Sequence, residues 1–261
     1  MSWKNYLPLL LSIFFLGCQE KQEVIQEKQP NILIILADDM GYSDLGCYGS
    51  EIQTLSLDRL AENGMRFTKF YNAARCCPSR AALLTGLYPH QAGIGSMTQE
   101  FGHPSYSGQI KESATTIAEA LGQNGYNTYQ VGKWHVGSTR PNWPDRKGFD
   151  QHFTFLDGAS SYYNLWPYRE GGDSMKMAKN GKRFYPGDSF YMTDAFSDYA
   201  IDYIDKDDKQ PFFMYLAYTA PHWPLHALPE DLAKYSGKYG MGWDSLRVQR
   251  WEKMKGECFY Q

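Results

Sequence analysis

Apolar runs that alternate with helix-like segments are the feature that most constrains the fold of this chain. Residues 31–37 (NILIILA) are rich in leucine and isoleucine, the pattern of a strand buried on both faces of a parallel sheet. Further strands are predicted at 66–71, 126–131 and 211–218, and helices at 56–64 (capped by Ser56), 115–123 and 193–204. This alternation predicts an α/β fold, a doubly wound, mostly parallel sheet with helices on both faces.

A second constraint is the string at residues 76–86, CCPSRAALLTG. Proline is favoured in the first turn of a helix and the alanines and leucines that follow are good helix formers, so a helix is predicted to begin just after Cys76. Arg80 lies one turn further along the same face. A nucleophile, a cation and the free N–H groups of a helix start would therefore meet at one point, which suits an anion.

Several chemistries could use Cys76, and spacing separates some of them. A cysteine-dependent phosphatase needs an arginine six residues after the cysteine, but Ala82 and Leu83 occupy those positions after Cys76 and Cys77. The chain has no C-x-x-C pair of the kind that zinc sites use. A papain-like Cys-His pair and a structural or disulfide-bonded cysteine both remain open from spacing alone.

Polar residues follow three of the predicted strands. Asp38 and Asp39 come directly after the first strand, and two carboxylates at a strand end suggest a Ca²⁺ or Mg²⁺ site, provided that the backbone turns there. Lys133 and His135 follow the strand at 126–131 and alternate along the chain, so both can face one side. His222 follows the strand at 211–218. Because the carboxyl ends of parallel strands share one edge, these residues are predicted to form one site.

The motifs resemble those of the formylglycine-dependent sulfatases, arylsulfatase-type enzymes of the alkaline-phosphatase-like superfamily. The signature C-x-P-S-R-x-x-x-L-T-G is matched at every fixed position from Cys76 to Gly86. The segments ILADDMGYSDLGCYG and GKWHVG also resemble the metal motif and the second active-site motif of that family. The resemblance runs from about Asn31 to the C-terminus.

The resemblance implies an enzyme that hydrolyses a sulfate monoester of an aryl or carbohydrate substrate. A maturation enzyme would convert Cys76 to formylglycine, whose hydrate attacks sulfur with one hydroxyl and releases sulfate through the other. Asp38, Asp39 and the modified Cys76 would hold Ca²⁺, with Mg²⁺ less favoured. Arg80 and Lys133 would offset the sulfate charge. His222 would protonate the leaving group, and His135 would act as the base for sulfate release.

One departure from the family pattern concerns the metal site. The family completes that site with a further Asp and Asn or His, usually in a Ser-Asp-Asn-Gly-like string, and no such string follows Trp223. Residues 30–261 are therefore interpreted as the truncated N-terminal part of a sulfatase catalytic domain, inactive as a fragment. Two alternatives remain, a phosphodiesterase or phosphonate hydrolase of the same superfamily, and a non-catalytic protein that binds sulfated glycans.

The first residues have the layout of an export signal. Residues 1–17 carry one lysine and an apolar run too short to span a bilayer, as in a signal peptide. Cys18 follows a lipoprotein-like cleavage box, and polar residues 18–29 are predicted to be a lipidated tether. A bacterial periplasmic or outer-membrane lipoprotein is therefore expected. With a net charge of −3 and no basic stripe, the chain does not fit a sequence-independent nucleic-acid binder.

Residues 160–189 are rich in aromatic residues and glycine and have weak periodicity. They could form a loop that contacts substrate, and sugar stacking and ordinary packing are equally compatible with Tyr162, Tyr163 and Trp166. Tyr199 and Tyr203, four residues apart on a predicted helix, are expected in the core. A structural role is expected for the remaining histidines, which are His90, His103, His152 and His226.

Overall fold

The structure of the protein is a computed structural model that describes residues 29–167, 169–206 and 210–256. The predicted signal peptide at 1–17 and the predicted lipid anchor at Cys18 lie outside these residues. In the part of the chain that the structure describes, no helix combines the length and the apolar character needed to cross a bilayer.

The strands are β1 (Ile32–Leu36), β2 (Asn127–Lys133), β3 (Gln151–Phe155), β4 (Met177–Lys179), β5 (Lys182–Phe184) and β6 (Phe212–Ala217). They form one sheet in the order β1-β6-β2-β3-β4-β5. The first four strands of that order run parallel, and β4 and β5 add an antiparallel hairpin. Because β1, β6 and β2 are parallel neighbours, the loops that follow them leave the same edge of the sheet.

The helices are α1 (Leu55–Asn63), α2 (Cys76–Thr85), α3 (Pro89–Ala92), α4 (Ile117–Gly122), α5 (Met192–Asp205), α6 (Pro229–Ala233) and α7 (Trp243–Gly256). Short 3-10 turns lie at Tyr42–Asp44, Gly46–Tyr48, Arg140–Asn142 and Pro144–Arg146. Helices α2 and α4 pack in one hydrophobic core, and α5 packs in a second. Side chains of β6 alternate between the two cores, so the cores lie on opposite faces of the sheet. The predicted doubly wound, mostly parallel α/β fold is confirmed.

Two expectations about strands are wrong. Strand β1 is buried on one face only, since Leu33 and Ile35 are 46% and 47% exposed. Strand β1 lies at the edge of the sheet, and the second hydrophobic core, which contains side chains of α5, does not extend to it. Residues 66–71 form no strand; Phe67 and Phe70 are exposed, and no strand of the described sheet pairs with this segment.

Several predicted boundaries shift by one or two residues. Helix α1 begins at Leu55 with Thr54 as its N-cap, so the prediction of Ser56 as the cap is wrong. Helix α4 is shorter than predicted because Thr116 caps its start, accepting a hydrogen bond from the backbone N–H of Glu119. The expectation that Tyr199 and Tyr203 pack in the core is confirmed, since both contact the core under α5.

Candidate active site

The loops after β1 and β6 and the end of β2 meet at one edge of the sheet. Asp38 and Asp39 lie just beyond β1, Lys133 is the last residue of β2, and His222 lies five residues beyond β6. The backbone N–H of Asp38 donates to the carbonyl of Ala220 at 3.0 Å, which joins the first of these loops to the last. The topology therefore brings together residues that are up to 184 positions apart, from Asp38 to His222.

Asp38 lies between two buried cations. Its Oδ2 accepts from Lys133 Nζ at 2.5 Å, and its Oδ1 is 3.2 Å from Arg80 Nη2. Arg80 also donates to the carbonyl of Lys133 at 2.9 Å and to the Tyr215 hydroxyl at 3.2 Å. Arg80, Lys133 and Asp38 are 1%, 0% and 5% exposed. Because a buried charge is tolerated only when it is paired, Asp38 is what allows both cations to be buried here.

The charge balance of this trio favours an anion. One carboxylate faces two cations, so a positive charge remains when all three groups are ionised. Burial lowers the pKa of Lys133, and the neighbouring Arg80 guanidinium lowers it further, while Asp38 acts in the opposite direction. A bound anion would relieve the repulsion between the two cations. Arg80 Nε is also buried without a hydrogen-bond partner among the described residues.

Cys76 is the first residue of α2, as the sequence predicts to within one position. The helix ends at Gly86, whose left-handed backbone conformation lets its N–H donate to the carbonyl of Ala82. The adjacent Cys77 thiol is the main cause that lowers the pKa of Cys76, while burial acts in the opposite direction. The interaction with Cys76, together with burial, raises the pKa of Cys77.

His135 completes this cluster. The sulfur atoms of Cys76 and Cys77 and a ring nitrogen of His135 lie within 4.8 Å of one another. His135 is 7% exposed, and burial is the main cause that lowers its pKa, with Cys76 acting in the opposite direction. The ring packs on Gly158, where an added Cβ would lie 2.5 Å from His135 Cε1. The sequence predicts that Cys76 and His135 share the site, but the part that Cys77 takes in the group was not predicted.

Asp39 and His222 lie at the open side of the site. Asp39 has a left-handed backbone conformation (φ 61°), which Asp tolerates better than most residues. The backbone turns at Asp39 itself, and both carboxylates line the same cavity. Asp38 points to the buried cations, whereas the Asp39 side chain is 69% exposed and its Oδ2 is 3.6 Å from His222 Nε2.

A cavity of about 380 Å³ opens over these groups and is lined in part by Asp38, Asp39, Cys76, Ser79 and Arg80. Its two carboxylates are hard oxygen donors, and each oxygen of Asp38 keeps a lone pair beyond its single cation contact. This donor set fits Ca²⁺ or Mg²⁺. It supplies part of the six to eight oxygens that Ca²⁺ takes, and a water or substrate oxygen would supply others.

The predicted site residues Asp38, Cys76, Arg80, Lys133 and His135 form one connected group, and His222 joins it through Asp39. Their catalytic roles stay predictions. Of the three aromatic residues that the sequence left open, Tyr162 is buried and packs, whereas Tyr163 and Trp166 are 36% and 72% exposed. The remaining residues of the group were not predicted, namely Cys77, Gly158 and Tyr215.

Comparison with known proteins agrees with this geometry. The family model described as Sulfatase matches residues 30–255. The arylsulfatase of Klebsiella aerogenes is 35% identical over 244 residues, covering 88% of this chain and 51% of that protein. An uncharacterised sulfatase of Schizosaccharomyces pombe is 36% identical over 255 residues, covering 88% of this chain and 44% of that protein. The chain thus spans about half the length of these relatives.

Solved structures give the same result. The structure of Ps i-CgsB in complex with k-i-k-neocarrahexaose matches with a TM-score of 0.70 and 34% identity, covering 89% of this chain and 56% of that one. That of BT4656 in complex with its substrate D-glucosamine-2-N,6-O-disulfate matches with a TM-score of 0.65 and 29% identity, covering 80% and 38%. With a family model that spans most of its length and the motif residues gathered at one edge of its sheet, the chain belongs to the sulfatase family.

Proposed function

We propose that this chain carries the catalytic centre of a sulfatase that hydrolyses a sulfate monoester through a formylglycine formed from Cys76, with a divalent cation. The observation that carries the proposal is the position of Cys76 at the start of α2, on the wall of a cavity that also exposes the Asp38–Arg80 pair. A nucleophile and a net positive charge therefore face the same space.

The two buried cations suit the sulfate group. Arg80 and Lys133 are held in place by Asp38, so they need no reorganisation when negative charge develops on the sulfate oxygens. The unpartnered Arg80 Nε provides a further donor on the buried side of the guanidinium. The aldehyde hydrate that replaces the Cys76 thiol would supply one hydroxyl for attack at sulfur and a second for release of sulfate.

The cation would bind to Asp38 and Asp39 beside position 76. A cation held by these carboxylates would supply Lewis-acid chemistry towards a sulfate oxygen. Asp39 is suited to this task because its carboxylate is exposed to the cavity and carries no buried cation partner. Asp38 has a double role, since it also neutralises part of the charge of Arg80 and Lys133.

Two histidines are placed for proton transfer. His135 is buried beside position 76, and its lowered pKa keeps the ring neutral near pH 7, as a base requires. His222 lies at the open side, where a leaving alcohol would depart, and its Nε2 faces the Asp39 carboxylate. We therefore assign base character to His135 and leaving-group protonation to His222.

For the substrate class we propose a sulfated sugar or aryl sulfate. The support is that two solved relatives are described in complex with a neocarrahexaose and with a disulfated glucosamine. The exposed ring of Trp166 would suit a sugar, because aromatic faces stack on apolar ring surfaces. A phosphate diester shares the tetrahedral geometry and stays the alternative substrate.

Mass spectrometry of the peptide that contains residues 76–80 tests the nucleophile. The chain is produced with and without a sulfatase-maturation enzyme. We expect an aldehyde at position 76 only with the enzyme, detected by its mass and by reaction with a hydrazine probe. Cys77 gives an internal control, since it should stay a thiol. A thiol or disulfide at Cys76 in both preparations would overturn the proposal.

A second experiment tests the substrate class. The assay uses the formylglycine form of a longer chain that supplies the predicted remaining metal ligands, because residues 30–261 are expected to be inactive alone. It is given an aryl sulfate and the matching aryl phosphate diester in the presence of Ca²⁺. We expect faster hydrolysis of the sulfate. Faster hydrolysis of the diester would favour the phosphodiesterase alternative, and binding of a sulfated oligosaccharide without turnover of either ester would favour the non-catalytic one.

We further propose that the protein is exported and lipidated at Cys18, as its N-terminal pattern predicts. Expression in a bacterium with radiolabelled palmitate, followed by cell fractionation, tests this. Label that is present in the wild type and lost in Cys18→Ser supports the anchor. Unlabelled protein in the cytosol would contradict both export and anchoring.

A further inference from the structure

Tyr162 is a buried residue of the loop between β3 and β4, and its polar groups bind segments on both sides of that loop. It is 2% exposed. Its N–H donates to His226 Nδ1 at 3.2 Å, and its carbonyl accepts from the N–H of Met192 at 2.7 Å. Its hydroxyl reaches the carbonyls of His222 at 2.7 Å and Thr219 at 3.2 Å. Residue 162 therefore joins the start of α5, through its backbone, to the loop that follows β6, through its backbone and its hydroxyl.

The two carbonyls that accept hydrogen bonds from the Tyr162 hydroxyl belong to one tight turn. The N–H of His222 donates back to the carbonyl of Thr219 at 2.9 Å, which closes the turn. From the other side, the carbonyl of Ala220 accepts the N–H of Asp38 at 3.0 Å. The turn is thus held between the first metal-motif residue and the hydroxyl of Tyr162.

The His222 side chain depends on this turn for its position. Its side chain is 24% exposed, and its Nδ1 lies 2.5 Å from the carbonyl of Trp223, which accepts a proton held on Nδ1. The proton that Nε2 can transfer is therefore the second proton of the charged ring. Nε2 then faces the cavity side, 3.6 Å from Asp39 Oδ2. A shift of the backbone at residues 219–222 would move Nε2 away from the leaving group.

We propose that Tyr162 is a positioning residue that holds His222 for protonation of the leaving-group oxygen. The inference rests on the function proposed above. In the step that it assists, one hydroxyl of the aldehyde hydrate at position 76 forms a bond to sulfur and gives its proton to His135. The S–O bond to the leaving group breaks, its electron pair goes to the leaving oxygen, and a proton moves from His222 Nε2 to that oxygen. Tyr162 does not contact the reacting atoms and acts through the carbonyls of Thr219 and His222.

Leaving groups of different basicity separate this role from simple stabilisation of the fold. A nitrophenolate leaves without much help from an acid, whereas an alkoxide requires a proton. We expect Tyr162→Phe to lower kcat for an alkyl sulfate by about tenfold, part of the range that a general acid supplies, and to lower kcat for 4-nitrophenyl sulfate much less. KM should change little for either ester.

Tyr163→Phe is the matched control. The same hydroxyl is removed from the next residue, whose ring is 36% exposed and whose hydroxyl donates to the carbonyl of Ala227 at 2.8 Å, five residues beyond His222. This variant should keep the wild-type ratio of the two kcat values. A urea unfolding curve for each variant confirms that both proteins are folded.

A double-mutant cycle gives the decisive result. If Tyr162 acts through His222, then Tyr162→Phe should cause no further loss in a His222→Gln background. Additive losses, or equal losses for both esters in Tyr162→Phe, would overturn the positioning role while leaving the sulfatase function standing. No turnover of either ester by the longer formylglycine protein with the wild-type residues at 162 and 222 would overturn the proposed function and this role with it.

Amide hydrogen exchange tests the contact itself without reference to turnover. The His222 N–H, which donates to the carbonyl of Thr219, should exchange faster in Tyr162→Phe than in the wild type or in Tyr163→Phe. Unchanged exchange at His222 would show that the hydroxyl of Tyr162 does not hold this turn, and the inference would be wrong.

Discussion

Lys133 Nζ lies 2.5 Å from Asp38 Oδ2, and both side chains are buried at the carboxyl edge of the sheet. The contact links the strand that ends in the metal motif to the strand that ends in the second active-site motif. Because Arg80 binds the other oxygen of Asp38, three segments that are far apart in sequence share one carboxylate. Asp38 therefore supports both the fold and the proposed chemistry.

The first prediction compares Asp38→Asn with Asp39→Asn. Loss of the Asp38 charge leaves Lys133 and Arg80 buried without a counter-charge, and we expect a loss of about 3–5 kcal/mol in the free energy of unfolding. Asp39 is exposed, so Asp39→Asn should change that free energy by no more than about 0.5 kcal/mol. Urea denaturation followed by tryptophan fluorescence measures both. Equal unfolding midpoints for the two variants would contradict the structural role of Asp38.

The location of the candidate site could be predicted from the sequence because it depends on topology. The apolar runs at β1, β2 and β6 identify parallel strands, and polar residues at the ends of such strands must meet at one edge. The start of α2 at Cys76 also follows from local helix preferences. Predicting these features requires only the order of the segments along the chain, their local helix preferences and the spacing of the apolar residues.

The contacts within the site could not be predicted, since they depend on side chains that tertiary packing brings together. Nothing in the local sequence indicates that Asp38 binds both Lys133 and Arg80, or that Cys77 faces Cys76 and His135. The same limit explains the error at β1: an apolar run does not reveal whether a strand is central or at an edge of the sheet.

The second prediction concerns the pH dependence of stability through His152. This side chain is fully buried; its Nε2 accepts from the N–H of Gly181 at 2.8 Å, and its Nδ1 contacts Thr154 Oγ1 at 2.8 Å. The Thr154 hydroxyl in turn donates to Gln130 Oε1, so the neutral ring with its proton on Nδ1 satisfies each partner. Burial lowers the pKa of His152 to about 4.

The sign of the effect follows from the lowered pKa of His152. Between pH 6.5 and about 4 the unfolded chain binds a proton at His152 that the folded protein does not, so the free energy of unfolding falls as the pH falls. The contribution of the neutral His152 ring to the free energy of unfolding is fully present above pH 6.5 and amounts to roughly 3 kcal/mol. Urea midpoints between pH 4.5 and 7.5 should show a shallower slope for His152→Gln. His90→Gln, which changes an exposed histidine, should keep the wild-type slope.

The third prediction concerns Arg250, whose contacts connect α7 to residues 44–51. Its guanidinium binds Glu51 through two bonds of 2.8 and 2.9 Å and Asp44 through one of 2.6 Å. Asp44 Oδ2 also accepts the N–H of Gly41 at 2.7 Å. Since Arg250→Met would leave two half-buried carboxylates without a cation, we expect a loss of about 1–3 kcal/mol in the free energy of unfolding.

Arg247 offers a control on the same helix, because its side chain is exposed. Arg247→Met should change the free energy of unfolding by about 0.5 kcal/mol or less. Arg250→Lys should fall between the two, since an ammonium group keeps the charge but cannot bind Glu51 through two parallel bonds. If Arg250→Met is as stable as Arg247→Met, the contacts of Arg250 are not important for holding α7.

The last prediction concerns self-association at the free edge of the sheet. Strand β1 pairs with β6 on one side and with no strand of the described residues on the other, and its exposed Leu33 and Ile35 add an apolar face. Because unpaired apolar edge strands promote pairing between chains, the protein should form larger species as its concentration rises.

A charge on strand β1 opposes such pairing, so Ile35→Lys should shift the sedimentation velocity profile towards the monomer. Ile201→Lys places the same charge on helix α5, at a position that is 57% exposed, and should leave the profile unchanged. Equal behaviour of the two lysine variants would show that association, if it occurs, does not use β1.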